Sequence, residues 1–162
     1  MDTLQVLISG TAAELEQYMS AEHALVVDHR SEEDEVLKCL KEFVSEMEAT
    51  HSYDGQGGCQ VRMSYKGRSV ERDYRDTPYN CFRILLEAER LLAPGVGIRV
   101  YAPTMGDDTH VFVVLTKEAW DQFARDAEEE RKRLFEGIGF LDAGWGLSGP
   151  ASPEKKWWQI WK

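Results

Sequence analysis

Apolar positions recur along this chain with two distinct periods. Leu4, Val6 and Ile8 alternate with polar neighbours as in a half-buried strand, and Thr11 stands where it can cap a short helix to about Met19. The stretch 24–27 is apolar without alternation, the pattern of an interior strand covered on both faces. From Ser31 the period lengthens: Val36, Leu40, Phe43 and Met47 share one helical face to about Ala49, and Ser31 and Asp34 are spaced as a capping box. Beyond the glycine-rich loop 54–58, Val61, Met63 and Tyr65 alternate with Gln60, Arg62 and Ser64, and Lys66-Gly67 supplies a two-residue turn into a second strand over 68–74. Thr77-Pro78 opens a helix to about Leu92, where Pro94-Gly95 stops it. Ile98, Val100 and Ala102 lead through a polar loop to 110–115, predicting a second hairpin whose returning strand is central in its sheet. Thr116 caps a long helix expected to reach about Glu136.

This order predicts an α+β fold: a mixed, largely antiparallel sheet of about six strands with packed helices, over residues 1–136. Its expected core includes Ile8, Val26, Leu40, Phe43, Leu85, Val100, Val111, Val113, Trp120 and Phe123. From Gly137 the texture changes to a Gly/Pro/Trp-rich tail, 137–162, which holds Trp145, Trp157, Trp158 and Trp161. Each packed tryptophan buries roughly 150–250 Å². The tail is therefore expected to pack on the body or on a partner.

Composition narrows the function classes. The 162 residues carry 19 Lys and Arg against 29 Asp and Glu, a net charge of −10, which disfavours nucleic acid and anionic membrane and favours basic surfaces. The tail contributes a net +1, so the acidity belongs to the body. The longest apolar run, 111–115, is too short to span a bilayer, and the first residues lack the basic flank and apolar run of a secretory signal. A cytoplasmic protein is expected. Cys39, Cys59 and Cys81 are odd in number and form no C-x-x-C pair, so reduced thiols fit the same compartment.

Catalytic motifs are sparse. Residues 144–149 match G-x-G-x-x-G, yet Pro150 and Pro153 follow where a phosphate-binding helix would have to begin. Asp28-His29 at a strand end is a candidate for an acid-base pair or metal site for which a structural or surface role is the better account, and Cys81 near a helix start is a thiolate candidate whose apolar neighbours favour a buried structural thiol. No metal site, cofactor or catalytic residue is assigned. Glu32-Glu33-Asp34-Glu35 complements a helix dipole, and Asp107-Asp108 suits a hairpin tip; both sets also suit a basic partner.

Length, acidity, several tryptophans and the passage 106–120, with its acidic turn, apolar strand and Trp120-bearing helix, resemble small acidic immunity proteins of bacterial competition systems, including those of type VI secretion. The resemblance implies a non-catalytic inhibitor that blocks the active site of a cognate toxin with a basic surface. On that reading Glu32, Glu33, Asp107 and Asp108 provide charge complementarity, and Trp145, Trp157, Trp158 and Trp161 provide aromatic anchors. Two other classes fit the same residues. One is an adaptor that oligomerises through the tail, and the other is a small nucleotide-binding enzyme built around Asp28-His29.

Overall fold

Helices open the chain. In the computed structural model, which describes residues 3–20, 23–28, 30–75, 80–105, 107–139 and 141, α1 (Thr3–Ser9) buries Val6 and Leu7. The strand expected over Leu4, Val6 and Ile8 is therefore a helix, because adjacent Val6 and Leu7 both turn inward. Thr11 caps α2 (Ala12–Tyr18) as expected, with its hydroxyl accepting from the Glu14 amide and Glu14 reaching back to the Thr11 amide.

Strand β1 (Leu25–Asp28) leads to α3 (Glu33–Phe43), whose cap is Glu32 with Glu35 completing the box. The Ser31 hydroxyl, the expected cap, instead accepts from the Asp28 amide. Strands β2 (Glu48–Tyr53), β3 (Gly58–Tyr65) and β4 (Arg68–Arg75) form one antiparallel sheet. Lys66 and Gly67 turn the β3–β4 hairpin, both with positive φ, +47° and +78°. Helix α4 (Asn80–Leu92) is buried along most of its length; Thr77-Pro78, expected to open it, lie outside the described residues. β5 (Val96–Tyr101) and β6 (Thr109–Thr116) make the second hairpin. Thr116 caps α5 (Lys117–Asp126), which stops short of the expected length where Ala127 turns extended; α6 (Glu129–Lys132) and β7 (Phe135–Gly137) follow.

The α+β class with antiparallel strands stands, and the seven strands seen among the described residues divide between two sheets, β1-β6-β5-β7 and β2-β3-β4. Helices α3 and α4 lie between them. On the inner side of the four-stranded sheet, Leu25, Val27, Ile98, Val100 and Phe112 join α3, α4 and the inward face of the other sheet in the larger core. On its outer side, Val111 and Val113 share a second core with α1, α2 and α5 through Leu7, Leu15, Trp120 and Phe123. Central β6 thus serves both cores by strand alternation. β1 occupies an edge, so Val26, expected in the core, is 37% exposed. Ile138 and Leu141 are fully buried, so packing continues beyond the change of texture at Gly137.

Candidate acidic interaction surface

One end of the molecule collects the starts of α3 and α4, the end of β1 and the start of β6. Asp28, last in β1, lies opposite Thr109 in β6. Its carboxylate accepts from the Thr109 hydroxyl at 3.3 Å and receives the Arg30 guanidinium in a forked pair at 2.9 and 3.0 Å. That pairing raises the Arg30 pKa, first through the hydrogen bond and then through charge, with a further contribution from Asp108. Asp108 therefore stands beside the Asp28–Arg30 pair, and exposed Asp107 precedes it.

Three residues along from Asp28, the Ser31 hydroxyl closes a tight turn that sets exposed Glu32 and half-buried Glu33 at the start of α3. The Glu33 carboxylate accepts from the Asn80 side-chain amide at 2.9 Å and from the Tyr53 hydroxyl at 3.3 Å. It thereby joins the first turns of both inner helices to the end of β2. Tyr53 is 53% exposed, with its ring edge-on to His51 at 5.4 Å. Its hydroxyl end is desolvated, and this, then Glu33, raises the phenol's pKa.

Past Tyr53, Asp54 accepts from the Gln56 and Gly58 amides at 2.8 and 2.9 Å, and a Cβ at Gly58 would lie 2.4 Å from that carboxylate. A side chain at position 58 would have to push the Asp54 carboxylate off these amides. Ser52, Tyr53, Asp54, Cys59, Asp73 and Tyr74 line a cleft of about 190 Å³. Burial pushes the Cys59 thiol up to about 11, helped by Glu33 and Asp34. Cys81 goes up to about 12 for the same leading reason, and its thiol donates to the Asp28 carbonyl. Both sulfurs are held as neutral thiols at neutral pH, which opposes a thiolate at the start of α4.

The four carboxylates chosen from sequence, Glu32, Glu33, Asp107 and Asp108, thus lie around a common centre at Asp28, with Tyr53 as an exposed aromatic beside them. Sequence reading missed Tyr53. Its only local signal was an aromatic at the start of a glycine-rich loop. Trp145, Trp157, Trp158 and Trp161, His29 and the 144–149 glycine motif lie outside the described residues. Among the described residues, no cluster of three or more His, Cys, Asp and Glu side chains is placed to hold a metal ion. Among the described residues, no helix is long and apolar enough to cross a membrane. Comparisons with protein-family models, curated proteins and solved structures returned no match.

Proposed function

We propose that this protein is a non-catalytic binding protein whose acidic end docks on the basic surface of a partner, and that the partner is a cognate toxin whose active site it blocks. The observation that carries the reading is the convergence of the segments bearing Glu32, Glu33, Asp107 and Asp108 on one end, with half-exposed Tyr53 beside Glu33. Arg30, exposed and paired with Asp28, also feels Asp108, so this one cation offsets only part of the charge that the four carboxylates add. An enzyme acting on a polyanion presents a positive cleft, and an acidic protein associates quickly with such a cleft. Tyrosine supplies rigid contact area that slows dissociation.

Affinity capture with the tagged full chain, followed by mass spectrometry, tests this. The expected result is one basic partner recovered in equimolar amount, retained less by the Glu32→Lys/Asp107→Lys/Asp108→Lys variant and inhibited in its own activity when mixed with the wild-type chain. Equal capture by the charge-reversed variant removes the acidic end from the interface.

A further inference from the structure

The outer edge of β1 is unusual in how little of it is open. The Asp28 amide is taken by the Ser31 hydroxyl and its carbonyl by the Ser31 amide, so the peptide groups of Asp28 face away from β6. At the other end the Ala24 amide donates to the Ser20 carbonyl. Strand alternation then puts the N–H and C=O of Val26 on that same outer side. No described residue pairs with that edge. Val26 is also one of two large hydrophobic residues exposed in the described structure. Beside it runs a groove of about 360 Å³, lined by Val26, Ser31, Glu35, Lys38, Cys39 and Glu42 among others. The carboxylates outweigh the lysine there: after burial, Glu42 and Glu35 raise the Cys39 thiol against the opposing Lys38.

We infer that the outer edge of β1, with the groove beside α3, is a strand-addition site for a short, extended, basic segment of a partner protein. The chemistry is specific. One residue of the incoming segment exchanges N–H and C=O bonds with Val26, and its register is limited because Ser31 already satisfies both Asp28 peptide groups and the Ser20 carbonyl takes the Ala24 amide. Apolar side chains cover Val26, while lysine or arginine reaches Glu35 and Glu42. A second copy of this chain is a poorer occupant, because it would bring another acidic edge and a net −10 against the first. The groove is continuous with the acidic end through Ser31 and Glu35, so this assignment rests on the binding-protein reading and states how the partner is gripped.

The test is an NMR titration of ¹⁵N-labelled full-length protein with the peptide Lys-Val-Lys-Val-Lys, using Glu-Val-Glu-Val-Glu as control. The expected result is a shift of the Val26 amide by the basic peptide alone, slowing of its hydrogen exchange by at least about tenfold, and about tenfold weaker binding to Glu35→Lys/Glu42→Lys. Shifts confined to Glu32, Asp107 and Asp108 with unchanged Val26 exchange overturn the strand-addition site and leave the acidic-end reading standing. No shift anywhere also overturns it, while the capture experiment decides the broader reading separately. A Val26 amide already protected before peptide is added overturns it too; sedimentation then tells a second copy from cover by the same chain.

Discussion

At the residue scale, His110 links the core to the acidic end. It is 4% exposed on β6, edge-on to Phe82 at 5.2 Å and stacked with Phe112 at 6.3 Å. Burial lowers its pKa from the ordinary 6.5, and Asp107 pulls the other way. A depressed pKa means the unfolded chain binds the proton more readily. The stabilisation from neutral His110 is therefore complete above about pH 6.5 and is lost as pH falls below it. The melting temperature should drop between pH 7 and pH 5.5, and His110→Phe should flatten that limb. Asp107→Asn should leave its onset in place but deepen it and extend it to lower pH, because the remaining pull toward the charged form is gone. Melting curves across that range, or the His110 ring titration followed by NMR, check both variants.

At the element scale, the β3–β4 hairpin and α4 are tied by one side chain. Arg68, just after the turn, donates to the carbonyls of Leu91 and Ala93 at the end of α4, groups left unsatisfied by the helix itself. Arg68→Ala should cost about 1–2 kcal/mol. Gly67→Ala should cost about 1 kcal/mol through its positive φ, while leaving that tie intact. Urea unfolding measures both, and a loss near zero for Arg68→Ala would mean water replaces the tie. The hairpin was legible in the sequence because its signals are local: alternation on either side of Lys66-Gly67. The same holds for the Thr11 and Thr116 caps. Leu4, Val6 and Ile8 misled because three apolar residues at spacing two also fit a seven-residue helix, in which Leu7 completes the buried face. The break after α5 was hidden because Glu128–Lys132 spacing suits a continuing helix, whereas Phe135 is drawn into pairing with Tyr101 on β5. Val26 read as interior because strand order is non-local; no feature of 24–27 tells an edge from a centre.

At the scale of the whole molecule, the acidic character was legible and its concentration was not. Glu32 and Asp108 are far apart in sequence, and only the pairing of Asp28 with Thr109 brings their segments together. Such convergence carries a cost, since like charges in excess of the single Arg30 cation repel and destabilise the compact state unless salt screens them. Neutralising the charges should therefore stabilise the fold while weakening the partner contact. Asp107→Asn/Asp108→Asn is expected to raise the melting temperature by about 1–3 °C at low ionic strength, a gain that fades at high salt. Asp121→Asn is the control, because Asp121 is already paired with Lys117 on α5 and has no surplus repulsion to relieve. The same double variant should associate more slowly with the captured partner at low salt, with wild type and variant converging as salt rises. Charge that lowers stability and raises association rate belongs to an interface. If the variant gains stability but associates as fast as wild type, the carboxylates serve solubility, and the partner binds elsewhere on the molecule.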